Sequence, residues 1–554
     1  MRVKIQMRTE AHSRPYRLRD PSPGVGTEER EKHGLLVSAL VIALVLMAAL
    51  FGGCGYPAGV SSTAVSRPDS PAVQTATGPT AGPTVTGPAA SLPVSTGLVG
   101  APGLGDPYFP LAGNEGYDVS RYELALQIDP QNGALRGQVS VTAIATKTLG
   151  AFNLDLEGLT VSKVRVDGRG AVYQHAGGEL TVVPVSPLPA GCSFQVDVEY
   201  SGIPQPLREE ATGLSLGWLR QGDTIYTLNE PQGAATWFPV NDHPSDKALY
   251  RLRLTVPEPF KAVAGGTLVE TKAGPAGRTF VWDMSAPMAS YVAGVVVGRL
   301  QADEPQTVDG VTIRNFYAEG LVEQARPAFA RTPEMLEFFA ELFGPYPFSG
   351  YGAVVPRVGL GGAMENQTLS LFGGGLVEKR FADAYVAELF ISHELAHQWF
   401  GNSVTLASWK DIWLNEGFAT YASWLWLEHS RGPETLTEAI SQSRKLLETS
   451  EAVSPGDPGP RHLFGPSVYH RGALTLAALR KTVGEEDFFK ILREWARRYA
   501  YGNASTADFI ALVKEVVGTS AAKSGTTVLP GPPSSAELDA LFDRWLYRPE
   551  LPGS

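Results

Sequence analysis

The sequence predicts an α+β protein in which an antiparallel β domain leads and a mostly helical domain follows, and three observations carry that reading. Between about Tyr108 and Leu300, apolar residues alternate with polar ones in short runs broken by Gly and Pro. A period of two with frequent turns belongs to antiparallel strands that bury one face. After about Val311 the apolar period lengthens to that of helices of ten or more residues. The change, placed near residue 305, separates a β domain at 106–305 from a helical domain at 306–554. The roughly 450 residues involved suffice for two or three domains.

The chain starts with a different composition. Residues 1–33 are polar and basic, with Arg2, Lys4, Arg8, Arg14, Arg17 and Arg19 among them, and Gly34 to Gly53 carries no charge. A basic leader followed by about 20 apolar residues is a membrane-targeting segment with its basic end inside. The leader is long, so Met7 is an alternative start. The run ends in Leu50-Phe51-Gly52-Gly53-Cys54. Small residues ahead of a Cys resemble a bacterial lipoprotein processing site at which Cys54 is lipidated, although Phe51 stands where Leu is usual. The alternative is an uncleaved single-span anchor, and both place the body outside the cytoplasm. Cys192 is the only other cysteine. With Cys54 lipidated it has no disulfide partner and reads as a small buried apolar residue. Residues 55–105, dominated by Pro, Thr, Ser, Gly, Ala and Val, read as a disordered linker.

In the β domain the alternation is clear in Tyr122 to Leu126, Val139 to Ala143, Phe194 to Val198 and Tyr250 to Val256. Helices are expected at Ala325 to Phe343, Ala382 to Phe400, Asn415 to Glu428, Thr435 to Leu447, Val468 to Val483 and Asp487 to Arg498. Thr506 to Val517 and Ala536 to Tyr547 complete the set. Gly373-Gly374-Gly375 reads as a loop, because nothing after it suits a phosphate. A formal charge of -11 with 19% charged residues describes an ordinary acidic protein. That balance disfavours a nucleic-acid partner.

The chemistry concentrates in His393-Glu394-Leu395-Ala396-His397 and in Glu416 beyond it. Two His four apart in a helix project from one face, so their imidazoles can converge on one metal ion with Glu394 beside it. Glu416 is the natural third ligand, and two His with one Glu make an open zinc site. Such a five-residue pattern arises by chance in roughly one chain in a hundred of this His content. Zinc held this way keeps an open position for a water whose pKa it lowers, and Glu394 is placed to take that water's proton.

The sequence resembles the gluzincin zinc aminopeptidases related to aminopeptidase N and leukotriene hydrolase. The zinc motif reads His393 through Asn402 and continues through Trp413-Leu414-Asn415-Glu416-Gly417-Phe418-Ala419, and the exopeptidase motif reads Gly362-Ala363-Met364-Glu365-Asn366. Glu230 to Pro244 is similar to the family's β-domain signature, Phe343 to Phe348 to the start of its catalytic domain, and Val468 to Ala473 to its catalytic-tyrosine segment. The resemblance implies a thermolysin-like catalytic domain with one Zn2+ per chain, held by His393, His397 and Glu416. It implies hydrolysis of the N-terminal bond of peptides with a free N-terminus. Tyr469 then stabilises the oxyanion, with Tyr421 as its competitor. Glu365 and Glu230 bind the substrate α-ammonium, and Gly362, Ala363, Met364 and Asn366 complete the substrate site, with Gly361 to Ala363 pairing as a strand. The sequence stops soon after Leu541 to Leu546, so the large C-terminal helical domain of many relatives is expected to be missing. Asn366, Asn402 and Asn415 are candidates for orienting the ligands, whereas His429, His462 and His470 are expected to bind no metal. The Trp409, Trp413, Trp424 and Trp426 run is expected to be packing. Two other readings are an endopeptidase with the same metal site and a catalytically silent surface-binding homologue.

Overall fold

The computed structural model describes residues 99–209, 213, 215–524 and 532–553. The basic leader, the apolar run, Cys54 and most of the linker lie outside the described residues. Among those described, no helix is long and apolar enough to cross a membrane. Residues 99–105, given to the linker by composition, are instead tied to the β domain. Gly100 N–H donates to the Ala151 carbonyl at 3.0 Å and Gly103 N–H to that of Gly113 at 2.8 Å. Backbone pairing of this kind needs no apolar side chain, so composition is blind to it.

The largest sheet has eight strands, in spatial order Thr267–Gly274, Gly277–Ala289, Lys247–Val256, Tyr117–Asp129, Ala134–Ala145, Ser193–Gly202, Thr160–Val166 and Arg169–Gly170. Neighbours run antiparallel except Tyr117–Asp129 beside Lys247–Val256, a parallel pair with Tyr122 opposite Tyr250. In Tyr117–Asp129 the buried set shifts from Tyr117 and Val119 to Tyr122, Leu124, Leu126 and Ile128. The register slips between Val119 and Arg121, and one extra residue there changes which parity faces the core. A second sheet runs Lys261–Ala264, Val295–Gly298, Thr224–Leu228, Ser215–Gln221 and Leu207–Arg208. Its strands β1 (Ser215–Gln221) and β2 (Thr224–Leu228) reach the cleft described below.

From Leu300 the chain enters a sheet that periodicity missed, ordered Leu300–Ala302, Phe316–Ala318, Ala353–Val355, Ser370–Phe372 and Ala363–Met364. Its strands are two or three residues long, too short for alternation to register. The last two are β3 (Ala363–Met364), at the sheet's edge, and β4 (Ser370–Phe372), paired antiparallel to it.

The helices of seven residues or more among those described are α1 (Thr332–Phe343), α2 (Gly374–Arg380), α3 (Ala384–Ala396), α4 (Trp413–Arg431), α5 (Glu434–Thr449), α6 (Gly472–Val483), α7 (Glu485–Arg498), α8 (Thr506–Ser524) and α9 (Ser535–Phe542). Two expectations are corrected. The glycine triplet is no loop: Gly374 and Gly375 open α2, and a Cβ on Gly373 would lie 2.0 Å from the Leu360 carbonyl oxygen. The glycines allow close packing of backbone on backbone. Cys192 is exposed, not buried. It sits in the turn before Ser193–Gly202, where its carbonyl accepts from Ala145 N–H at 3.0 Å.

Arg471 closes the helical domain. Its buried guanidinium donates to the carbonyls of Trp545 (2.9 Å), Pro549 (2.8 Å), Arg544 (2.9 Å) and Glu550 (3.1 Å), and also to that of Arg548. Each buried carbonyl left without a donor costs about 1–3 kcal/mol. Arg471→Met is therefore expected to destabilise the fold by at least about 3 kcal/mol, read as a fall in melting temperature of about 6–12 °C. An unchanged melting temperature would show that these bonds are replaced by water at no cost.

Candidate active site

Helix α3 is buried on every side from Val386 to Ala396. A helix with no solvated face belongs at the centre of a domain. Asp383 caps its start, accepting from Tyr385 N–H at 2.9 Å. His393 and His397 lie one turn apart on one face. Past the helix the chain reverses through Gly401, at φ +129°, and Asn402 N–H donates to the His397 carbonyl at 2.9 Å.

Glu416 comes from the first turn of α4. Next to it, Gly417 meets Gly472 of α6 so closely that a Cβ on Gly417 would lie 2.9 Å from the Gly472 Cα. Only glycine permits that crossing. It brings the wide π-type turn Ser467–Arg471, which carries Tyr469, to the cleft that holds Glu416.

The His393 Nε2 lies 3.1 Å from His397 Nε2 and 3.2 Å from Glu416 Oε2, and the His397 Nε2 to Glu416 Oε2 distance is 3.5 Å. A tetrahedral zinc with arms of about 2.0–2.1 Å has ligand–ligand edges of about 3.3–3.4 Å. The three separations therefore match one face of such a tetrahedron. The His397 Nδ1–H donates to the Phe400 carbonyl at 3.1 Å, which leaves the Nε2 lone pair for a metal. That carbonyl, and none of the three asparagines, is the orienting partner found. Asn402 bonds the Glu365 carbonyl and Asn415 bonds Tyr291, while Asn366 packs on Gly294.

A second trio, Glu230, Glu365 and Glu416, also has its oxygens within 4.8 Å of one another. Both trios share Glu416, and imidazole nitrogens suit zinc better than a purely carboxylate set. Oε1 of Glu230, Oε1 of Glu365 and Oε2 of Glu394 are buried without a partner among the described residues. Four carboxylates and two imidazoles in one buried cleft call for added positive charge. Burial, and then their mutual repulsion, pushes Glu230 well above the usual carboxylate range; burial also raises Glu365 and Glu394. Burial alone would raise Glu416 too, but the His397 charge and hydrogen bonds to both imidazoles hold it at about 2.

Side chains from both domains meet in the cleft. Glu230 enters it just after β2, Ala363, Met364 and Glu365 from the β3 edge, and Tyr469 from above His393, with ring centroids 6.1 Å apart and planes at 18°. Gly362 and Asn366 do not line it. Tyr421 stands outside, accepting from Arg480 at 3.3 Å. His470 pairs with Ser443 and His429 stacks on Phe338. The four tryptophans are fully buried packing. Periodicity and motif gave no notice of the apolar wall of Leu216, Leu228, Leu360 and Phe464, nor of Tyr291. The Tyr291 hydroxyl donates to the Gly401 carbonyl and accepts from Asn415, each at 3.1 Å. Leu216 and Leu228 belong to β1 and β2, whose placement only the tertiary fold decides.

Comparison with known proteins agrees with this geometry. Residues 119–292 match the model of the peptidase M1 N-terminal domain and residues 328–545 that of the peptidase family M1 domain. An M1 zinc metallopeptidase from Deinococcus radiodurans, solved as a point mutant bound to a Tyr-Ser-Ala substrate, is 30% identical with a TM-score of 0.72. The match covers 81% of this chain and 99% of that one. Aminopeptidase M1-A of Oryza sativa subsp. japonica is 29% identical over 72% of this chain and 48% of its own length. The leucyl aminopeptidase of Saccharolobus solfataricus is 27% identical over 72% of this chain and 52% of its own. The chain thus spans about half the length of these two curated relatives.

Proposed function

This chain belongs to peptidase family M1, and on that premise we propose that it is a zinc-dependent aminopeptidase that hydrolyses the first peptide bond of peptides with a free N-terminus. The observation that supports it most is the meeting of His393, His397 and Glu416 with Glu230 and Glu365 in one buried cleft. His393, His397 and Glu416 hold the ion, and bound zinc supplies a Lewis acid that polarises the scissile carbonyl and acidifies water. Glu394 takes the proton of the attacking water and passes it to the leaving amine. The Tyr469 hydroxyl, which burial keeps protonated by pushing its pKa well up, donates to the oxyanion of the tetrahedral intermediate. Glu365 and Glu230 accept the substrate α-ammonium, whose charge relieves their repulsion. The outer edge of β3 offers main-chain partners to an extended substrate.

The test uses aminoacyl amides and a chelator. The purified protein is expected to cleave them, to lose activity when the metal is stripped, and to regain it with about one zinc per chain. Leu and Phe amides should outrun Asp amide, because the side-chain wall is apolar. A zinc-loaded protein that cleaves no free-amine substrate would overturn the reading.

We also infer that the enzyme works outside the cytoplasm, anchored at its N-terminus by lipid on Cys54 or by an uncleaved span. The support is the basic leader and the apolar run that ends in Gly52-Gly53-Cys54. Labelled palmitate incorporated by the wild type and lost in Cys54→Ala would favour lipid; no label in either, with membrane retention, would favour the span.

A further inference from the structure

The length of peptide removed by such a site depends on one distance, that between the ammonium anchor and the metal. The geometry points to Gln398 and Asn402 as positioning residues that fix this distance by clamping the Glu365 main chain to the end of the metal helix; the inference rests on the ammonium-binding reading of Glu365.

The Glu365 carbonyl accepts two side-chain hydrogen bonds, from Asn402 Nδ2 at 2.7 Å and Gln398 Nε2 at 3.3 Å. Both lone pairs of that oxygen are thereby used. Gln398 directly follows the ligand His397, and Asn402 bonds the His397 carbonyl through its own N–H, so both donors move with the metal helix. Gln398 holds the loop at a second point: its Oε1 accepts from Thr368 N–H at 2.8 Å. Thr368 sits at φ +67°, a conformation that a β-branched residue rarely adopts and that its surroundings must enforce. The enforcement comes from Gln398 on one side and on the other from Gly266 N–H, which donates to Thr368 Oγ1 at 2.7 Å. Gln398 and Asn402 are fully buried, so no water competes for these bonds. The bonds at the Glu365 carbonyl and the Thr368 N–H thus tie the loop to the end of the metal helix, while Thr368 Oγ1 and the Gln367 N–H, which donates to the Val292 carbonyl at 3.1 Å, tie it to the β domain. Oε1 of the Glu365 carboxylate has no partner among the described residues, so no side-chain bond to that oxygen offsets a shift of its main chain.

A shift of about 1 Å between bound group and reacting centre costs on the order of 100-fold in rate. Sliding the substrate by one whole residue would need about 3.3–3.6 Å, so the expected loss is of grip on the α-ammonium and of rate. The experiment compares wild type with Asn402→Leu and, as a second variant that keeps the acceptor for Thr368, Gln398→Glu. Each is given an unblocked pentapeptide and its N-acetylated form, with zinc content and melting temperature measured in parallel. Wild type is expected to release only the first amino acid. The variants are expected to keep their zinc and to show a KM for the free peptide raised about tenfold. Their ratio of free to acetylated cleavage should fall about 100-fold. If the variants lose rate equally on both peptides, the clamp is structural and the inference is overturned. If wild type itself cleaves both peptides alike, the ammonium reading fails, and the inference falls with it by a different and visible result. Should Asn402→Leu lose its zinc or unfold, Gln398→Glu decides between these outcomes.

Discussion

Glu394→Gln is expected to lower kcat by about 10³-fold while zinc content stays near one per chain. The carboxylate lies on α3 between the two His ligands in sequence, is 3% exposed, and has Oε2 buried without a partner among the described residues. Gln fills the same space but accepts no proton, so it isolates proton transfer from shape. His393, His397 and Glu416 keep their separations, because none depends on a bond to Glu394. KM should move little, since the ammonium anchors are elsewhere. Parallel metal analysis and initial rates check both parts. Full turnover in the variant would remove Glu394 from the role of base.

The second large effect is that of Tyr469→Phe, with kcat falling about 10²–10³-fold and KM nearly unchanged. The phenol is placed by the π-type turn and lies over His393 at the rim of the metal set. A donor that meets only the developing oxyanion lowers the barrier without strengthening substrate binding. Tyr421→Phe is the control: its hydroxyl bonds Arg480 outside the cleft, so activity should survive its loss. Equal losses in both variants would show that the tyrosines act through packing.

The fold was legible where elements are long and regular. Tyr117–Asp129 and α4 announce themselves through alternation and helical spacing, although the bulge at Ser120 and the parallel partner Lys247–Val256 do not. Parallel pairing between distant segments is decided by tertiary packing, which a local pattern does not encode. The short strands around β3 were invisible because two or three residues are too few for alternation to show, and they carry Ala363 and Met364, with Glu365 directly after. The glycine triplet misled because, as a phosphate loop, it lacks a fitting residue after it, which leaves a plain loop as the reading. Here its lack of a side chain admits the Leu360 carbonyl.

At the site, His393, His397 and Glu416 were legible because helical spacing and a donor set leave few alternatives. Glu230, Glu365 and Tyr469 needed the family resemblance, and the structure brings all three to the same cleft. What connects them was hidden. The Phe400 carbonyl on His397, Tyr291 between Gly401 and Asn415, and Gln398 on Thr368 all join residues through backbone atoms, which no residue type advertises. Lys247 belongs to this group: from the β domain it donates to the Asn402 carbonyl at 2.9 Å and to that of Ser403 at 3.0 Å, tying the sheet to the turn after α3.

The central claim is that a metal site and an ammonium anchor act as one exopeptidase centre. The direct measurement is kcat/KM for one peptide with a free N-terminus and for the same peptide N-acetylated, on the zinc-loaded protein. Acetylation removes the charge that Glu230 and Glu365 would accept and leaves them buried and unpaired, so the free peptide is expected to be favoured by at least about 10³-fold. Equal values for the two peptides would contradict the claim.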